Sequence, residues 1–163
     1  MTKAFFPGSF DPLTLGHLEF VKRASQLFDE VVIGVMTNPH KHYLLTAEER
    51  LHLVKESVQA LDKVQVAQFS NQLTVQIAHE IGADVLIRGL RNPVDYAYEQ
   101  EMAQVNYQQT KIETLFLQAT PEMQGISSSI VRELWRFGGY YACYVPPCVA
   151  QYMAEKKVDE WKN

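Results

Sequence analysis

The 163-residue chain is 47% hydrophobic and carries 15 basic against 19 acidic side chains, a formal net charge of −4. This length suffices for one domain with a sizeable core, and the acidic balance excludes a protein that coats nucleic acid. No apolar run approaches the ~20 residues of a membrane span, so no membrane partner is expected. The two cysteines, Cys143 and Cys148, are too few for a disulfide framework and suit a reducing cytoplasm.

The chain opens with a strand over Lys3–Phe6, ended by Pro7-Gly8. Asp11, Pro12 and Thr14 are helix-start residues, and Leu18, Val21, Ala24 and Phe28 follow at helical spacing. The segment reads strand, tight turn, helix. A helix N-terminus offers unpaired N–H groups and partial positive charge, which suit a phosphate. Gly8 and Gly16 leave room for close approach to the backbone, and His17 can lie beside the same anion. From spacing alone, the same residues also make an ordinary strand-to-helix turn with a half-buried histidine. The turn is neither a Walker loop nor a GxGxxG loop.

Val31–Met36 is a nearly continuous apolar run, which suits a strand covered on both faces. Asn38-Pro39 breaks it before His40-Lys41-His42. Thr46-Ala47-Glu48-Glu49 has capping-box form and opens a helix through Val58. A brief strand at Val64–Val66 precedes a helix from Val75 to Ile81, closed by Gly82. Asp84–Ile87 is the next strand, with Arg88-Gly89-Leu90-Arg91 at its carboxyl end. A helix from Asp95 to about Gln109, a strand at Thr114–Leu117 and a helix from Ile130 to Phe137, capped by Ser127–Ser129, come next. Val145-Pro146-Pro147 introduces a last helix through Lys157.

Strands alternating with helices predict an α/β, Rossmann-like fold: a five-stranded parallel sheet, helices on both faces, and C-terminal helices. One domain is expected over residues 1–163, with ligands beyond the carboxyl ends of the strands. His17, Lys41, Arg88 and Arg91 collect at that rim with the hydroxyls of Ser9, Thr14 and Ser127–Ser129. These are groups for polyphosphate. The sequence holds no nucleophile–base pattern and no metal-ligand spacing. Such a site suits phosphoryl or nucleotidyl transfer by positioning and charge stabilisation. The plain alternatives are ion-pairing arginines, a serine N-cap and a solvated Lys41 loop. Cys143 and Cys148 read as buried small side chains, and one of Glu99 and Glu101 should face solvent.

Pro7-Gly8-Ser9-Phe10-Asp11-Pro12, Thr14-Leu15-Gly16-His17, Leu86-Ile87-Arg88-Gly89-Leu90-Arg91, Asp95-Tyr96-Ala97-Tyr98-Glu99 and Ile126-Ser127-Ser128-Ser129 stand together in this order. Over about Lys3 to Met153 the chain resembles the bacterial phosphopantetheine adenylyltransferases of the nucleotidyltransferase superfamily. The resemblance implies transfer of the adenylyl group of ATP to 4′-phosphopantetheine, giving dephospho-coenzyme A and pyrophosphate without a covalent intermediate. It also implies Mg2+ with few protein ligands, a homohexamer, and feedback inhibition by coenzyme A. By matched position, Ser9 contacts both substrates, and Lys41, Thr74 and Arg88 hold phosphopantetheine. Phe10, His17, Gly89, Leu90, Arg91, Glu99 and the loop Met123, Gln124, Gly125, Ile126, Ser127, Ser128 and Ser129 hold ATP. His17 and Lys41 carry the catalytic role, stabilising charge on the α-phosphate. Ala97 and Tyr140 depart from the residues usual in the family, and Thr74 stands at a variable position. The same scaffold also serves nicotinamide or nicotinate mononucleotide adenylyltransferases, cytidylyltransferases and non-catalytic nucleotide-binding modules.

Overall fold

A computed structural model describes residues 1–156. Its elements are β1 (Lys3–Gly8), α1 (Leu15–Leu27), β2 (Glu30–Thr37), α2 (Ala47–Val58), β3 (Val64–Ser70) and α3 (Thr74–Glu80). They continue with β4 (Val85–Leu90), α4 (Pro93–Thr110), β5 (Glu113–Gln118), α5 (Ser128–Arg136) and α6 (Pro147–Glu155). A short 3-10 turn at Ala142–Tyr144 lies between α5 and α6. Every expected strand and helix is present. The expectation for the last helix ran to Lys157, which lies outside the described residues.

The five strands are parallel in the order β3-β2-β1-β4-β5. The chain fills one side of β1, then crosses to the other side at β4. That reversal opens a crevice between the carboxyl ends of β1 and β4, where α/β sheets bind ligands. Consecutive residues of β1 face opposite ways. Phe6 joins Phe20, Val21, Ile33, Leu53, Ile87 and Met153 on one face, while Phe5 joins Val32, Ile77, Ala78 and Leu86 on the other.

Several boundaries differ from expectation: β1 runs on to Gly8 and β4 through Arg88 to Leu90, because these residues keep pairing with β2 and β5. β3 runs on to Ser70 because it pairs with β2 as far as Thr37. It is an edge strand, and its exposed polar residues Gln65, Gln68 and Ser70 interrupt the apolar signal. α4 begins at Pro93 because the Asn92 side chain caps it, accepting from the Asp95 N–H at 2.9 Å. Cys143, expected to be buried, is exposed in the 3-10 turn.

One glycine sets the seam between α1 and β4. A Cβ at Gly89 would lie 2.2 Å from Phe20 Cε2. Phe20 is buried and its ring occupies the place where a side chain would stand. Gly89→Ala is therefore expected to destabilise the fold by about 1–3 kcal/mol, read as a lower urea midpoint. Restoration by Phe20→Leu in the same chain would locate the cost at this contact.

Candidate active site

The site grows from the turn after β1. Thr14 caps α1, accepting from the His17 N–H at 3.3 Å. His17 Nδ1 accepts from the Thr14 N–H at 3.1 Å. A backbone N–H can only donate, so Nδ1 is unprotonated and the neutral ring carries its hydrogen on Nε2. The ring pKa is lowered from 6.5 to about 4, first by burial and then by the positive charges of Arg91 and Arg88. At neutral pH the imidazole is thus an uncharged donor. Phe10 supports it edge-on, with centroids 5.2 Å apart. In a 15N NMR titration of the free protein, the His17 ring should show the Nε2–H tautomer at pH 7 and a midpoint near 4. A midpoint near 6.5 would contradict this environment.

His17 and Arg88 line one cavity of about 270 Å³, together with Ser9, Gly89, Arg91, Glu99, Met123, Ile126 and Ser127–Ser129. Arg88 is held on three sides. Its Nε and Nη2 donate to Glu99 at 2.8 and 2.6 Å, and its Nη1 to the Pro7 carbonyl at 2.9 Å. Arg91 is oriented by Asp95, which accepts from its Nε and its backbone N–H, each at 3.0 Å. Glu99 faces inward and Glu101 is exposed, as two positions this close on a helix require. Ser127 caps α5, accepting from the Ile130 N–H at 3.2 Å, and Ser128 Oγ donates to the Pro12 carbonyl at 2.8 Å. The serine run is therefore both an N-cap and a wall of the cavity.

A second cavity adjoins the first and shares Pro7, Gly8, Ser9 and Arg88 with it. Its other walls include Asn38, Lys41, Tyr43 and Thr74. Lys41 lies on the loop after β2, and Thr74 opens α3 after β3. Strand order brings them together, since β3 and β2 are neighbours.

Some expected residues sit elsewhere. Lys41 lines the second cavity and not the one that holds His17. Leu90 and Gln124 border a separate hollow, which shares Arg91 with the His17 cavity. Gly125 lies in the exposed loop before Ile126. Phe10 borders the cavity but is only 2% exposed, its ring packed against His17 and Phe6. Gly8 is small for an internal reason: a Cβ there would sit 2.9 Å from the Phe10 ring.

Three side chains that support the site were not singled out from sequence. Asp11, read as a helix-start residue, is 3% exposed, and its carboxylate accepts from the N–H groups of Leu44 and Leu45, each at 2.8 Å. Arg50 is 1% exposed, and its Nη1 donates to the Ser9 and Met36 carbonyls at 2.8 Å. Arg132 Nη1 donates to the Asp11 carbonyl at 2.7 Å. A charged residue inside an apolar helix stripe was the available signal for Arg50, which stands among Leu51, Leu53 and Val54.

Donor groups suited to phosphate line a cavity at the switch point of this parallel sheet, and residues 5–134 match the family described as cytidylyltransferase-like, which makes the chain a nucleotidyltransferase. Within that class the chain belongs to the phosphopantetheine adenylyltransferase family. It is 44% identical over 160 residues to the phosphopantetheine adenylyltransferase of Limosilactobacillus reuteri, covering 98% of this chain and 92% of that protein. The protein of the same name from Leuconostoc citreum is 48% identical over 157 residues, covering 96% of this chain and 99% of its own length. A solved bifunctional NMN adenylyltransferase/ADP ribose pyrophosphatase from Francisella tularensis, complexed with AMP and a manganese ion, shares the fold. It superposes with a TM-score of 0.70 at 12% identity, covering 98% of this chain and 51% of that one.

Proposed function

We propose that the chain transfers the adenylyl group of ATP to 4′-phosphopantetheine, giving dephospho-coenzyme A and pyrophosphate, a step of coenzyme A biosynthesis. The observation that carries this reading is the pair of cavities joined at Ser9 and Arg88. ATP occupies the cavity of His17, Arg91 and Ser127–Ser129. Phosphopantetheine occupies the cavity of Lys41 and Thr74, with its phosphate at the shared wall. An oxygen of that phosphate forms a bond to the α-phosphorus. The bond from the α-phosphorus to its bridging oxygen breaks, and pyrophosphate leaves with the electron pair.

The attacking oxygen is already anionic, so no strong base is needed. Catalysis is then positioning plus charge stabilisation. The Nε2–H of neutral His17 donates to the α-phosphate, where charge gathers. Arg88 and Lys41 hold the acceptor phosphate, and Arg91 with the start of α5 holds the triphosphate.

Magnesium belongs to the same proposal. Asp95 and Glu99 at the cavity wall each face an arginine, so the oxygens that fit a magnesium ion are those of the triphosphate. Bound with the triphosphate, magnesium would supply positive charge that offsets the leaving pyrophosphate. Feedback by coenzyme A fits the same geometry, because that molecule carries both an adenylate and a phosphopantetheine arm and matches the joined cavities.

A homohexamer is supported by α4, which has no buried residue and exposes Val94, Tyr98, Met102 and Val105. Unpaired Cys143 and Cys148 suit a cytoplasmic location. Among the described residues no helix is long and apolar enough to cross a membrane. The single-domain reading rests on all five strands sharing one sheet.

Product analysis with alternative acceptors tests the reading. Dephospho-coenzyme A should form from 4′-phosphopantetheine, and no dinucleotide from nicotinamide mononucleotide. Dinucleotide formation would overturn it in favour of the nicotinamide branch of the same fold.

A further inference from the structure

We propose that Asp11 is a positioning residue that sets Lys41 against the acceptor phosphate. The inference rests on the reading above that Lys41 holds that phosphate. Asp11 borders neither cavity, so it acts through what it holds.

The loop between β2 and α2 carries Lys41 and has no sheet partner for its last amides. Two of them, from Leu44 and Leu45, point at the two oxygens of one buried carboxylate, Oδ2 and Oδ1 of Asp11. A carboxylate has two acceptors and no donor, so it satisfies both amides at once. The first half of the loop closes on itself: the Lys41 N–H donates to the Asn38 carbonyl at 3.0 Å, and the Asn38 N–H donates to Tyr43 Oη at 2.9 Å. Tyr43 in turn lies against the Arg50 guanidinium, 4.1 Å from ring centroid to Cζ. Asp11 therefore fixes the exit of the loop and Arg50 its middle. Asp11 is itself fixed to α5, because Arg132 bridges its carbonyl and Ser129 Oγ, the latter at 3.2 Å. One buried residue thus ties the Lys41 loop to the helix that walls the ATP cavity.

Asp11→Asn keeps the shape but turns one acceptor into a donor, which faces an amide donor and leaves it unsatisfied. The loop exit loosens, and Lys41 is held less accurately. Misplacement by about 1 Å costs up to about 10²-fold in such sites.

The test compares Asp11→Asn, Lys41→Ala and the double variant by steady-state kinetics with both substrates. Asp11→Asn should raise KM for 4′-phosphopantetheine about tenfold or more while ATP KM stays within about twofold. The double variant should be no worse than Lys41→Ala alone. Parallel rises in both KM values, or penalties that multiply in the double variant, would overturn the proposal. If Lys41→Ala weakens the acceptor and Asp11→Asn does not, the Lys41 assignment stands and only the role of Asp11 falls. If Lys41→Ala leaves acceptor KM unchanged, the Lys41 assignment falls and this inference with it. Should Asp11→Asn not fold, replacing the Leu45 amide by a backbone ester removes one N–H donor. The same KM split is expected there, and an unchanged acceptor KM would overturn the proposal.

Discussion

His17→Ala is expected to lower kcat about 10²–10³-fold while ATP KM changes little, the usual cost of losing one donor aimed at developing charge. The ring is held by the Thr14 N–H on one side and Phe10 on the other, so its Nε2–H is aimed before substrate arrives. A neutral donor forms a stronger bond as charge builds on the α-phosphate, and this difference between ground and transition state is what raises kcat. In the free protein burial, and after it the Arg91 and Arg88 charges, keep the ring neutral at pH 7. Some stability should go as well, because the ring is half of a reciprocal cap on α1. Steady-state kinetics with saturating acceptor decide the matter. A large loss of ATP affinity at unchanged kcat would remove His17 from the transition state.

Arg88→Ala should raise KM for 4′-phosphopantetheine about 10- to 100-fold, the effect of removing a charge-assisted phosphate contact. The change also strands Glu99, whose side chain is only 12% exposed, and frees the Pro7 carbonyl at the wall between the cavities. Glu99→Gln should accordingly damage acceptor binding too, since it loosens the fork that aims Arg88. The two changes should be strongly non-additive, because they break one bidentate pair. Isothermal titration with phosphopantetheine reads this directly. Unchanged acceptor affinity in Arg88→Ala would place that phosphate elsewhere.

The turn from β1 into α1 was readable because its signals are local. Pro7-Gly8 ends a strand, Thr14 caps a helix, and the 3.6-residue period begins at once. The alternation of strands and helices gave the parallel sheet for the same reason. What stayed hidden depends on partners far along the chain. Asp11 looks like a turn residue until Leu44 and Leu45 are brought to it from 33 and 34 residues away. Arg50 stands in the apolar stripe of α2, but its partners stay hidden until three oxygens, from Ser9, Met36 and Thr37, converge on it. The motifs gathered His17 and Lys41 into one catalytic group, yet only the strand order assigns them to adjoining cavities. Gly89 was expected at the ligand. Its lack of a side chain is explained by the Phe20 ring behind it.

A crystal structure with 4′-phosphopantetheine and an ATP analogue whose α,β bridge is a methylene group tests the central claim most directly. The acceptor phosphate oxygen should lie about 3–3.5 Å from the α-phosphorus, opposite the bridge, with Arg88 and His17 on either side. Two ligands held in cavities that do not meet at Ser9, or an acceptor phosphate on the same side as the bridge, would contradict direct displacement at this rim.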